Sequence, residues 1–285
     1  METSHGLRDR TKAPPPLHSV AAQTPSSADI IIKVGTEEKQ YRVHKAFLVY
    51  YSEYFSSALS DRWREVNDKE ISLKDVEVPI FNLFVEWLYT QKLPIENDPL
   101  AWQTTAGIPG AWWEDPTILK LKFYVFADRF IVRNLSAELN RRIVNEHSSR
   151  AFPGHPGHEE IIYAFNNLPE TDPLLDFYAD ILFYVWNLDM DQLHNQVSLR
   201  SQLPRELLLR FMLRVGRSRR DYEDLPINKF SFDFCSYHGH VSEEEKKACA
   251  YKVKLNTKLP LIERTIWPMK DEDEEDDSDD GASDI

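Results

Sequence analysis

Polar and apolar positions alternate in two short stretches near the start of the chain, and apolar residues then recur at helical spacing over much of the rest. Ile30-Ile31-Ile32-Lys33-Val34 is a β-branched run that predicts a strand. Gly35 to Lys39 reads as a turn, and Tyr41 and Val43 alternate with Gln40, Arg42 and His44, so a second strand pairs back as a hairpin. Lys45 to Tyr51 predicts a short helix, Ser52 an N-cap, and Glu53 to Leu59 a second helix. Glu70-Ile71-Ser72-Leu73 alternates again as a third strand. Val78 to Thr90 predicts a helix with Phe81, Phe84, Val85 and Leu88 on one face.

The periodicity breaks between Leu93 and Pro116, where Pro94, Pro99, Pro109, Pro116, Gly107 and Gly110 predict a long inserted loop over 94–116. That segment also holds Trp102, Trp112 and Trp113. Either Trp102, Trp112 and Trp113 form a partner-binding surface, with Trp112 and Trp113 its candidate contacts, or the tryptophans fold back and cover the domain. Helix resumes at Thr117, with Leu119, Phe123, Phe126 and Phe130 in register, and a further helix from Asn134 carries Leu135, Leu139 and Ile143. A Gly/Pro/Ser/His linker spans His147 to His158. Amphipathic helices follow at Glu159 to Leu168, Pro173 to Asn187 and Arg205 to Arg217, punctuated by Pro169, Pro173 and Pro204. Residues 226–268 are weakly patterned.

These elements carry a particular set of residues: Asp29 to Gly35, Tyr41-Arg42-Val43-His44-Lys45, Leu48, Ser52-Glu53-Tyr54-Phe55, Ile71-Ser72-Leu73, Phe81 and Leu88-Tyr89-Thr90. In that order they closely resemble the BTB/POZ domain, over residues 28–93 and 117–147. The remainder resembles the helical extension of fungal BTB-domain proteins. The fold class is therefore expected to be α+β and mostly helical. A three-stranded sheet covered by helices occupies residues 28–147, and an all-α extension occupies residues 148–225. A sheet that small needs such a helical cover in any case.

What the resemblance implies is a non-enzymatic protein–protein interaction module, with BTB–BTB association as one mode. Some members of the family bind a cullin and act as substrate adaptors of a ubiquitin ligase. In these, an apolar–x–Glu triplet lies between the second helix and the third strand. Trp63-Arg64-Glu65 holds that place here, so Trp63 and Glu65 are candidate cullin contacts, with Trp63 as the anchor. The family resemblance also makes His44 a structural residue at a strand–helix junction.

Composition changes the picture mainly at the ends of the chain. The formal net charge is −13, but residues 271–285 alone contribute ten negative charges, leaving −3 over residues 1–270. The body is near neutral and has no general footprint for nucleic acid. Residues 1–27, with Pro14-Pro15-Pro16, and the acidic tail 271–285 are both expected to be disordered. Two cysteines are too few for a disulfide framework. The start of the chain lacks the apolar core of a secretory signal, and no apolar run is long enough to span a bilayer. A cytoplasmic or nuclear location, or both, is expected.

No phosphate-binding Gly-rich loop, His-Glu-x-x-His or Gly-x-Ser-x-Gly is present, so the sequence offers no catalytic constellation and no cofactor is expected. One group has the chemistry of metal ligands. Cys235, His238, His240 and Cys249 are spaced C-x2-H-x-H-x8-C, which is not the spacing of a standard finger. The expectation is a polar loop with two unconnected thiols. The other reading is a structural zinc, since two Cys and two His leave no open position. Arg210, Arg214 and Arg217 share one helical stripe. They are either a solvated face or a site for an acidic partner. Through them runs the alternative functional reading, a nuclear, transcription-associated scaffold touching acidic partners or nucleic acid.

Overall fold

The computed structural model describes residues 29–59, 70–95, 98–108, 116–148, 156–185, 196–221, 232–240, 242–249 and 254–255. The expected disordered ends, the segment with Trp63 and Glu65, and the Trp112-Trp113 pair all lie outside the described residues.

β1 (Asp29–Val34) pairs antiparallel with β2 (Lys39–His44) and parallel with β3 (Glu70–Leu73), giving the order β2-β1-β3. The alternation of β1 decides its faces: Ile30, Ile32 and Val34 are buried, together with Ile71 and Leu73 of β3. On β2 only Val43 is buried, as suits an edge strand.

The chain leaves β2 through His44 into α1 (Lys45–Tyr51). His44 Nδ1 lies 2.7 Å from Tyr89 Oη, and the His44 backbone N–H donates to the same oxygen at 3.3 Å. Tyr89 belongs to α3 (Val78–Thr90), so the histidine fixes the strand–helix corner to the helix beneath it. On its other side, His44 Nε2 lies 3.8 Å from Asp29 Oδ1 at the start of β1.

Ser52 is a two-way clasp. Its hydroxyl oxygen accepts from the Phe55 N–H at 3.0 Å, capping α2 (Glu53–Ala58), and its O–H donates to the Phe130 carbonyl at 2.6 Å. Phe55 and Phe130 stack with centroids 5.4 Å apart, and Phe84 and Phe126 extend this cluster.

The expected loop over 94–116 contains a helix, α4 (Pro99–Ala106). Asp98 caps it by accepting from the Ala101 N–H at 3.1 Å, Pro99 occupies its first turn, and Gly107 ends it at φ +76°. Proline at the start and glycine just past the end are boundary signals of a short helix, which is why they read as breakers in the sequence. Trp102 is fully buried on α4 and donates its Nε1–H to the Ile95 carbonyl at 3.1 Å. It covers the domain from within.

α5 (Pro116–Arg129) runs through the centre, with apolar residues buried around most of its circumference. It packs against α3, α4, α6 (Arg133–Ser148) and α7 (His158–Asn167). Lys120 is buried on it, with Nζ 2.8 Å from Glu146 Oε2 of α6 and 5.5 Å from the Trp102 ring centroid. The cation is retained by that pair and by the ring face.

The extension continues with α8 (Pro173–Val185), a 3₁₀ helix (Val197–Gln202) and α9 (Arg205–Asp221). One continuous core joins it to the sheet domain. Polar side chains cross the seam: the Tyr124 hydroxyl of α5 donates to Asp172 at 2.8 Å, and His147 Nε2 of α6 lies 3.2 Å from Glu160 Oε1 of α7, which also accepts from the Tyr178 hydroxyl of α8. Burial pushes the Asp172 carboxyl above the usual carboxylate range. Burial and the facing Asp172 carboxylate push the Tyr124 phenol up.

The described residues of the weakly patterned region form a small appendage on these helices. β4 (Phe232–Asp233) pairs antiparallel with β5 (Lys254–Leu255). Between them lie a 3₁₀ helix (Phe234–Tyr237) and α10 (Glu243–Ala248). No helix among the described residues is long and apolar enough to cross a membrane.

Candidate functional site

The appendage brings together the four residues that the sequence separates by C-x2-H-x-H-x8-C. The ligand atoms of Cys235, His238, His240 and Cys249 all lie within 4.8 Å of one another. Two contacts are closer: Cys235 Sγ to His240 Nε2 at 3.3 Å, and Cys249 Sγ to His238 Nδ1 at 3.4 Å. The expectation of two unconnected thiols therefore gives way to a single cluster.

Local chemistry explains the convergence. Cys235 sits in the 3₁₀ helix, and the His238 N–H returns to the Cys235 carbonyl at 3.4 Å. Gly239 lies at φ +57°, a left-handed conformation that turns the backbone between the two histidines. Ser242 then caps α10 by accepting from the Glu245 N–H at 3.1 Å, and this one short helix brings Cys249 back to the group. The β4–β5 pairing closes the loop behind it. Cys235 and His238 are buried, at 4% and 1% exposure, while His240 and Cys249 are half-buried.

The cluster is held against the extension. Tyr237 packs edge-on against Phe177 of α8, with centroids 5.5 Å apart, and donates its hydroxyl to Asp180 Oδ2 at 2.9 Å. Glu245 lies 3.8 Å from Arg141 Nη1 of α6 and 4.0 Å from His240 Nδ1.

The arginine stripe has acidic partners within the chain. Arg210 reaches Asp176 at 2.9 Å, Glu206 at 3.0 Å and the Glu170 carbonyl at 2.6 Å. Arg214 grips both oxygens of Asp180 and reaches Asp176 Oδ1 at 3.1 Å. These guanidiniums fasten α9 to α8, and Arg217 is exposed at the far end of the stripe. The Asp-x3-Asp spacing of α8 against the Arg-x3-Arg spacing of α9 is a sequence signal for this ladder.

On the opposite side of α9, Leu208, Leu209, Met212 and Leu213 are 48% to 69% exposed. Leu207 is buried, and Phe211 turns inward to meet Phe183 at 5.9 Å between centroids. The signal for an outward apolar face was quantity: Leu207-Leu208-Leu209 with Met212-Leu213 supplies more apolar residues than one buried stripe takes.

Comparison with known families matches residues 20–106 to the BTB/POZ domain model. The match takes in the whole three-stranded sheet and runs to the end of α4, so the chain carries a BTB/POZ domain, a module of protein–protein association that includes dimerisation. A search among curated proteins found no match to this chain.

Proposed function

We propose that this protein is a non-enzymatic adaptor that binds one partner through its BTB/POZ domain and a second through the helical extension. The observation that carries the reading is the outward stripe of Leu208, Leu209, Met212 and Leu213 on a helix that Arg210 and Arg214 hold rigidly to α8. Contiguous exposed apolar side chains on a fixed scaffold are the usual makings of a partner surface. The partner chemistry that fits is an apolar segment or amphipathic helix laid along the stripe.

For the BTB/POZ domain the proposed partner is a cullin. α2 and β3 flank residues 60–69, the stretch that carries Trp63 and Glu65. The scaffold reading through the arginines is weaker, because Arg210 and Arg214 are already neutralised by Asp176 and Asp180.

The test is direct binding of the purified chain to a cullin N-terminal region, for wild type, Trp63→Ala and Glu65→Ala. Weakening of about tenfold or more by either change supports the adaptor reading. No binding by folded wild type removes the ligase assignment.

A further inference from the structure

We infer that Cys235, His238, His240 and Cys249 bind a structural zinc ion that locks residues 232–255 onto α6 and α8. Four donors of the right softness converge from three local pieces of chain: a 3₁₀ helix, a glycine turn and the end of α10. Zinc at about 2.3 Å from sulfur and about 2.0–2.1 Å from nitrogen sets ligand–ligand edges of about 3.3–3.8 Å in a tetrahedron. The Cys235–His240 and Cys249–His238 contacts, at 3.3 and 3.4 Å, already have that length. The widest separation of 4.8 Å closes by small side-chain rotations.

Charge and coordination number point the same way. Binding releases the two thiol protons, and two thiolates with two neutral imidazoles cancel the dication, so the buried group carries no net charge. Four protein ligands leave no position for water, which makes the site structural and not catalytic. With Nε2 of His240 toward the ion, its Nδ1 faces Glu245, 4.0 Å away. Two separate thiol–imidazole hydrogen bonds explain the two short contacts but not the convergence of all four donors.

The site also has a mechanical role. Metal binding would add its own free energy to the folding of the appendage. Once formed, it presents Tyr237 to Asp180 and Glu245 to Arg141.

Full-length chain, purified under reducing conditions, is assayed for zinc, copper and iron by elemental analysis. About one zinc per chain is expected, falling below about a tenth in the Cys235→Ser/Cys249→Ser variant. Cobalt exchange is expected to give the strong visible ligand-field bands of a tetrahedral thiolate–imidazole centre. Should that variant fail to fold, wild type treated with a zinc chelator serves instead. Hydrogen exchange then rises in residues 232–255, stays unchanged in the sheet, and is reversed by zinc but not by magnesium. A folded wild type that takes up neither zinc nor cobalt overturns the inference, as does a Cys235–Cys249 disulfide in metal-free chain or zinc content indifferent to the double substitution. None of these readouts depends on partner binding, so the adaptor reading stands or falls separately.

Discussion

Tyr237 and Arg214 share a single acceptor, Asp180 Oδ2, each at 2.9 Å. The appendage and α9 are thus joined through one carboxylate of α8 that neither supplies. Asp180→Ala is expected to cost about 2–4 kcal/mol, because it leaves a half-buried guanidinium short of its counterion. Tyr237→Phe removes one hydrogen bond and is expected to cost about 1 kcal/mol. Urea unfolding of both variants gives the comparison, and equal costs would show that the shared acceptor is not the centre of the junction.

Ser52→Ala deletes the cap of α2 and strips the Phe130 carbonyl of its donor. The cap alone contributes about 1 kcal/mol and the stranded carbonyl about 1–2 more, so a loss of about 2–3 kcal/mol is expected by chemical denaturation. A loss near that of a surface substitution would mean the clasp carries no strain on removal.

Asp172 predicts a pH effect of definite sign. Its folded carboxyl titrates above the ordinary value because it is buried, so the fold favours the protonated form. That contribution is fully present below the unfolded value of about 3.9 and is lost as pH rises through the higher folded value. Asp172→Asn should therefore gain stability relative to wild type as pH is raised from roughly 4 to 7. Thermal unfolding across that range checks it, and a flat difference would contradict the assignment.

Gly107→Ala tests the end of α4. The residue sits at φ +76°, and an added Cβ would lie 2.8 Å from Asn82 Nδ2. Asn82 bridges the Ala106 carbonyl and the Tyr41 hydroxyl, so the clash strikes a hydrogen-bonded side chain. A loss of about 1–3 kcal/mol is expected from the positive φ and the displaced bridge together. A neutral effect in urea unfolding would show that Asn82 yields freely.

Leu209→Asp and Met212→Asp bear on the α9 stripe. Both side chains are exposed, so stability should move by less than about 0.5 kcal/mol, while capture of partners through the extension should fall. Marked destabilisation would mean that the stripe is covered within the chain.

The sheet, the Ser52 cap and the central helices were legible because alternation, capping residues and aromatic spacing act over a few residues. α4 was not, since eight residues between prolines give periodicity too little length, although Asp98, Pro99 and Gly107 marked its ends. The cysteines and histidines were legible as a ligand set but not as a cluster. Their approach depends on the left-handed Gly239 and on a ribbon between Phe232 and Leu255, and neither leaves a periodic trace. The arginines were visible as a stripe, whereas their partners lie 34 residues away on α8 and show only when the matched Asp-x3-Asp and Arg-x3-Arg spacings of the two helices are compared.

The sheet order has a consequence for synthesis. β1 lies in the middle, between β2 and β3, yet it is the first of the three to be made. β2 follows at once, but the other edge of β1 stays open until Leu73 has emerged, about forty residues after Val34. At roughly 5–20 residues per second on the ribosome, that edge waits about 2–8 seconds with its backbone donors and acceptors unpaired. A nascent chain of this design is most vulnerable to mispairing in that interval, and it is there that a chaperone would gain its hold.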